Sequence, residues 1–341
     1  MSICPVDEYA IDIIQSLIKR EGRRIKFCFK SPQQEVRPVL ISWVCKVAEE
    51  LKLRNCTFHL AVYVLDIFMD NHEIATPQLK LLAIVCLLLA AKFEELDSNV
   101  PKISSLQSKL ESNYEATDFI TIEIVILNFL DWNLAYPTVA HFIECFGNFV
   151  VQTSDLKYFQ GNFRGSACNQ DSICKLKQLK SDADDIIQDF MGIVIQDIGY
   201  MSFQPSLIAA AVIFLTRFML SLQPEWTSTL AEVTKWSIPD ILPCSAWLKQ
   251  ILHTPDNDSC VQASTGHKKE IKGNQGKNNS SIDLGYSTNS TASSPDIFIE
   301  VIPSKDQESY LGSTKTALRK MLEDKNDLFM LKILLLLMLE H

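Results

Sequence analysis

Two stretches of this chain are apolar on nearly every side, and each opens at a proline. After Thr76-Pro77, the residues from Leu79 to Ala91 carry a single charge, Lys80. After Pro205, the run Leu207-Ile208-Ala209-Ala210-Ala211-Val212-Ile213-Phe214-Leu215 carries none. Proline is pre-organised for the first position of a helix, and a helix apolar all round either crosses a bilayer or forms the central rod of a bundle. The first run is about 13 residues, short of the ~20 a bilayer requires. Both therefore read as core rods. Their prolines, Pro77 and Pro205, lie 128 positions apart. The echo is one of architecture rather than residue identity, and it predicts two copies of one helical plan.

Amphipathic segments surround each rod. Residues 7 to 20 read as a helix with Asp7 as N-cap and Tyr9, Ile13, Ile14, Leu17 and Ile18 as its stripe. Five helices are then expected between about 33 and 132: one from Arg37 to Leu51, one from Thr57 to Asn71, the rod, one near 101–112 and one near 117–130. A second unit opens after Pro137 with a helix from Thr138 to Val150, followed by a polar, irregular stretch from Ser154 to Lys180 that reads as an inserted loop. Glycine is scarce, at 11 residues, which leaves few tight turns and favours helices. The expectation is an all-α chain. It comprises an N-terminal helix and basic connector (1–30), a five-helix bundle (31–136), a second five-helix bundle with a loop near 154–180 (137–254), and a tail (255–341). The tail from 255 to about 313 is rich in Asn, Ser, Thr, Asp, Gly and Lys, with too few apolar groups to offset ordering entropy, so it is expected to be disordered. It contains Ser294-Pro295, a minimal proline-directed phosphorylation site. Leu328 to Leu339 reads as a short apolar helix, docked on the protein itself, on a partner or on a membrane surface.

Several function classes are disfavoured. The formal net charge of −9 argues against a broad grip on nucleic acid. The one basic cluster, Lys19, Arg20, Arg23, Arg24 and Lys26, reads as a solvated helix end, with a nuclear-import signal as its rival. Ten cysteines include no C-x-x-C pair, and Cys45 and Cys86 sit inside apolar helical runs. With no charged start followed by an apolar core at Met1-Ser2-Ile3-Cys4-Pro5, reduced thiols in a nuclear or cytoplasmic protein are expected, and triplets such as Asn289-Ser290-Thr291 carry no glycosylation. There is no Gly-rich phosphate loop, H-E-x-x-H or G-x-S-x-G, and the six histidines lack metal spacing. The expectation is a non-enzymatic protein without metal, cofactor or membrane span.

What stands out is a set of charges among apolar residues. Asp66 sits in Val64-Leu65-Asp66-Ile67-Phe68 and Glu123 in Ile120-Thr121-Ile122-Glu123-Ile124; Lys92 ends the rod, and Arg37 opens the first helix of the bundle. A buried charge requires a partner. Taken singly, Lys92 reads as a cation at the negative end of its helix and Glu123 as an ordinary polar-edge position.

Together they resemble a cyclin box. Val36-Arg37-Pro38-Val39-Leu40 with Trp43 resembles its opening helix, and His59 through Phe68 its second. Leu87-Leu88-Leu89-Ala90-Ala91-Lys92-Phe93-Glu94-Glu95 is similar to the end of its third; Glu123, Leu130-Asp131-Trp132-Asn133-Leu134 and Pro137-Thr138 follow at the matching spacing. This covers about 33–145. From about 186 to 258 the resemblance narrows to one branch of the family, through Pro205-Ser206-Leu207, Pro224-x-Trp226 and His253 to Asp258.

The resemblance implies a regulatory subunit that binds a cyclin-dependent kinase in cell-cycle control. By it, Lys92 and Glu123 hydrogen-bond the main chain of the kinase loop that leads into its C-helix. Phe93 packs against that helix, with Glu94 and Glu95 in the same kinase-binding stretch. Arg37 and Asp66 match a structural salt bridge, and Leu81 a core leucine. Val36, Val39, Leu40 and Trp43 match a patch where some cyclins dock Arg-x-Leu motifs of kinase substrates. Here Val36 replaces the usual methionine, Pro38 the usual alanine, and Lys46 stands where those cyclins place a glutamate, so docking of that motif is expected to be weak or missing. The alternative is a cyclin-fold adaptor or scaffold, like those of general transcription factors, that works without activating a kinase.

Overall fold

The computed structural model describes residues 5–156, 169–253 and 305–323, and among them every regular element is helical. Helix α1 (Pro5–Glu21) leads through an extended connector into α2 (Arg37–Glu50), α3 (Asn55–Asn71), α4 (Leu79–Glu94), α5 (Ile103–Gln107) and α6 (Ala116–Phe129). A second group follows: α7 (Val139–Phe146), α8 (Asn169–Gln196), α9 (Pro205–Met219), α10 (Ser228–Thr234) and α11 (Ile238–His253), with α12 (Lys305–Glu323) last. Each rod is the centre of its bundle. α4 packs on α3, α6 and α2, and α9 packs on α11, α7 and α8. With the 3-10 turn before it, α4 has the length and composition of a bilayer span. Its burial accounts for that composition: from Leu81 to Ala91 every side chain is inside the bundle.

Four differences from the sequence reading have physical causes. The helix expected over 101–112 is regular only over Ile103–Gln107. Leu106 is fully buried while Ile103 and Leu110 pack against the core only in part, and the chain then tightens into 3-10-type bonds from Lys109 to Leu106 and from Leu110 to Gln107. The helix expected over Thr138–Val150 stops at Phe146 and finishes as a 3-10 turn over Gly147–Phe149. The stretch 154–180 is not a loop throughout: residues 157–168 lie outside the described residues, but α8 already begins at Asn169. Its first turns looked irregular because they are mostly exposed and polar, with Leu176 and Leu179 half-buried. The tail is likewise not wholly disordered, since α12 starts at Lys305 and buries Leu318 and Leu322. The readings of 255–304, including Ser294-Pro295, and of Leu328–Leu339 fall outside the described residues.

Buried polar groups tie the parts together. Arg37 donates from Nε to Asp66 Oδ1 at 2.7 Å and from Nη2 to Asp66 Oδ2 at 2.9 Å. The same guanidinium donates to the Ile195 and Gln196 carbonyls at 3.0 and 2.7 Å, closing the C-terminal turn of α8. The Tyr200 hydroxyl donates to Asp66 Oδ2 at 2.9 Å. One cluster thus joins α2 and α3 of the first bundle to α8 of the second. The last residue of α1, Glu21, accepts from the Ser206 N–H and hydroxyl at 2.7 Å each, which caps the first turn of α9.

Arg217, fully buried in α9, was not singled out by the sequence. It donates twice to Asp155, at 2.9 Å, and to the Val150, Pro224 and Glu225 carbonyls at 2.5, 2.8 and 3.2 Å.

Asp66→Ala leaves Arg37 buried without its counter-ion, and loss of one partner of such a pair is expected to lower stability by about 3–5 kcal/mol. Urea unfolding followed by circular dichroism measures this; a loss below ~1 kcal/mol would show that the ion pair is not what holds α2 to α3.

Candidate functional site

Lys92 lies in the last turn of α4, and Glu123 lies in the middle of α6. The packing of α4 on α6 brings them together: Lys92 Nζ donates to Glu123 Oε1 at 2.5 Å and to Oε2 at 2.8 Å. The pair sits at the surface, with 45% of the lysine side chain and 15% of the glutamate side chain exposed. An ammonium has three donors and a carboxylate about four acceptor positions, so each group retains capacity for a further partner. The α6 N-terminus is fixed by a capping box, with the Glu115 N–H donating to Asp118 Oδ2 at 2.8 Å.

Exposed apolar side chains belong to the same two helices. Phe93 is 48% exposed, and Leu96 just past α4 is 74% exposed. On α6, Phe119, Ile122 and Ile126 point into the core while Ile120 and Ile124, on either side of Glu123, point out. Trp132, in the left-handed turn after α6, is 66% exposed, with its indole N–H donated to Asn128 Oδ1 at 3.1 Å. The sequence reading missed Leu96, Ile120, Ile124 and Trp132. The available signal was α6 itself, a helix too apolar on its outward face for a solvated surface.

Glu94 and Glu95, read with Lys92 and Phe93 as kinase-binding, have their carboxylates engaged within the chain. His141 Nδ1 accepts from the Thr138 N–H at 3.2 Å, so its proton is on Nε2, which faces Glu94 Oε1 at 3.0 Å. Glu95 Oε1 accepts from the Arg54 N–H and the Thr57 hydroxyl at 2.7 Å each, fastening the start of α3. Both glutamates therefore help to position the end of α4, each through one carboxylate oxygen.

The second patch is also narrower than the sequence implied. Val36 is exposed and Val39 and Trp43 are half-buried, but Leu40 belongs to the core with Val44 and Val47 and presents no surface. Lys80 covers part of what remains: its Nζ lies 5.6 Å from the centre of the Trp43 ring, while it pairs with Glu111. Among the described residues, no group of His, Cys, Asp and Glu is arranged to hold a metal ion.

Beneath this corner lies His59 of α3, fully buried, with Nδ1 lacking any partner. Burial, assisted by nearby His141, pushes its pKa down from 6.5 to about 3. The folded protein holds the imidazole neutral, whereas the unfolded chain takes up a proton below pH 6.5. Stability is therefore present above that value and falls as the pH drops towards 3. Between pH 6.5 and 5 the expected loss from this residue is about 2 kcal/mol. Urea titrations across that range test this, with His59→Gln expected to flatten the slope; equal slopes in the two proteins would refute it.

Comparisons with known proteins give a consistent result. A family model described as "Cyclin, N-terminal domain" matches residues 12–135, and one described as "Cyclin, C-terminal domain" matches residues 137–275. Cyclin-J of Xenopus laevis is 32% identical over 269 residues, covering 77% of this chain and 66% of that protein. Cyclin-J of Homo sapiens is 31% identical over 256 residues, covering 74% and 62% respectively. The chain thus spans less than two thirds of the length of either relative. Among solved structures, a viral cyclin from herpesvirus saimiri gives a TM-score of 0.49 at 18% identity, over 70% of this chain and 97% of that one, a loose likeness of shape.

Proposed function

The chain belongs to the cyclin family, and we propose that it works as a regulatory subunit that binds a cyclin-dependent kinase and shifts it towards its active shape. One observation carries this reading. Lys92 and Glu123 come from separate helices yet meet at the surface, amid Phe93, Leu96, Ile120 and Ile124. A cation and an anion side by side can bond a carbonyl and an N–H of another protein's main chain, and the apolar side chains beside them can pack against a helix. Such packing would hold a kinase helix in the position that completes the ion pair needed for phosphoryl transfer. The subunit performs no chemistry itself. It favours one of two kinase states by binding that state better. Work in cell-cycle control, in the nucleus or cytoplasm, belongs to the same proposal.

Bonds that involve a charged group contribute about 1.5–3 kcal/mol each, so Lys92→Ala and Glu123→Ala should each weaken kinase binding roughly 10- to 150-fold. Tagged full-length protein is expected to recover a kinase with measurable phosphotransfer, and each variant is expected to lose it while keeping its helical circular dichroism. Recovery of nucleic acid with no kinase would instead favour an adaptor. Undiminished kinase recovery by both variants would remove the surface from consideration.

The α2 patch is proposed as a poor site for Arg-x-Leu motifs. Lys46 stands where the motif's arginine would need an acid, and Lys80, paired with Glu111, lies over the Trp43 ring the motif would have to cover. In fluorescence-anisotropy titrations such a peptide is expected to bind weaker than ~100 µM. Micromolar binding abolished by Trp43→Ala would overturn this.

A further inference from the structure

The last described helix, α12, packs on α11 and α8 of the second bundle, although residues 254–304, 51 positions, separate it from α11 in the chain. Helices that belong to one bundle are ordinarily joined by about 2–8 residues, which enforces their contact. Here the separation is several times longer, so the contact does not follow from a short connection.

Over residues 312–323 that surface is narrow. Thr314, Leu318 and Leu322 are buried at intervals of four, with Met321 half-buried beside them. Ser313, Thr316, Ala317, Lys320 and Glu323 face outward. By contrast, α8 buries Ala183, Ile186, Ile187, Phe190, Met191 and further residues towards its C-terminus. Arg319 is a polar anchor of α12, its Nε and Nη2 donating to the Leu252 carbonyl at 3.1 and 2.5 Å, and Glu323 Oε1 lies 4.0 Å from His253 Nδ1 at the end of α11. Leu252 lies in the last turn of α11, where unpaired carbonyls and the helix dipole favour a cation. Gly312, Ser313, Thr314 and Thr316 are weak helix formers, and helices in proteins draw most of their stability from packing an amphipathic face rather than from propensity.

We propose that the face formed by α8 and α11 is a docking site for an amphipathic helix, and that Lys305–Glu323 is its own detachable occupant. The site selects an aliphatic stripe at every fourth residue together with an arginine one position after the central aliphatic, placed to cap α11. The segment orders on docking and leaves as a unit, while the two bundles stay folded. A partner that uses this face must first displace it, so the segment acts as a built-in competitor. This inference does not depend on the kinase-binding reading, because the face is built from the second bundle alone.

Two measurements on the full-length chain test it. In hydrogen exchange, amides of α12 are expected to exchange at least tenfold faster than those of α9, with α8 and α11 retaining most of their protection; α12 amides as slow as those of α9 would make the helix an integral part of the fold. In anisotropy titrations, a fluorescein-labelled 305–323 peptide is expected to bind the Leu318→Asp, Leu322→Asp double variant, whose own helix cannot dock, at least tenfold tighter than it binds the unaltered chain. A peptide carrying Arg319→Ala is expected to lose most of that affinity. Equal binding to both chains, or binding to neither, would overturn the proposal.

Discussion

The Arg37 guanidinium is the interaction on which the rest of the architecture depends. It neutralises Asp66 on α3 and at the same time closes the last turn of α8, so one side chain fixes both a contact within the first bundle and the pose of the second. Two charges removed from water destabilise a fold unless nearly every donor and acceptor finds a partner. Here they do: Asp66 also accepts from Tyr200, and burial beside that carboxylate holds the Tyr200 hydroxyl well above its ordinary pKa, protonated and able to donate. The second bundle uses the same device. Arg217 satisfies all five of its donors on Asp155 and three carbonyls, which gathers the turn after α7 and the chain around Pro224 onto the rod.

A rigid frame of this kind explains how a small surface feature can be held in register. Lys92 is the last cation of α4, and the two glutamates that follow it are fastened in different directions, Glu94 to His141 of α7 and Glu95 to the start of α3. With its terminus pinned on both sides, α4 has little freedom to move Lys92 away from Glu123. A recognition group held by packing and secondary hydrogen bonds loses less entropy on binding than one carried on a loop. The positioning residues are thus as much a part of the surface as the groups that face out.

Much of this was legible in the sequence because it depends on periodicity and on misplaced charge. Both rods were marked by proline and unbroken apolar runs, and Asp66, Glu123 and Lys92 stood out as charges where apolar neighbours predominate. Arg217 obeys the same rule, within Phe214-Leu215-Thr216-Arg217-Phe218, yet its partner Asp155 lies in a stretch with no periodicity, so sequence offered no reason to join them. The first turns of α8 and the whole of α12 escaped for a different reason. Each buries too narrow a stripe to rise above a polar background, and their helical state follows from tertiary packing rather than from local pattern. The inward turn of Glu94 and Glu95 was hidden for a related cause: adjacent positions on a helix differ in direction, but sequence does not say which neighbour waits on each side.

The two bundles share a plan without sharing a surface, and the location of one cation accounts for the difference. In α4 the terminal-turn cation, Lys92, lies beyond the buried run and meets its acid at the protein's edge. In α9 the terminal-turn cation, Arg217, comes three residues earlier relative to the opening proline, 12 positions after Pro205 against 15 after Pro77, and is committed to Asp155 with no exposure. A cation with every donor satisfied inside the fold has nothing left to offer a partner, whereas an ammonium bound to a single carboxylate has. The repeated architecture therefore does not imply repeated function. Of the two rod termini, only that of α4 leaves its ion pair within reach of another protein, while the pair in α9 is closed off from the surface.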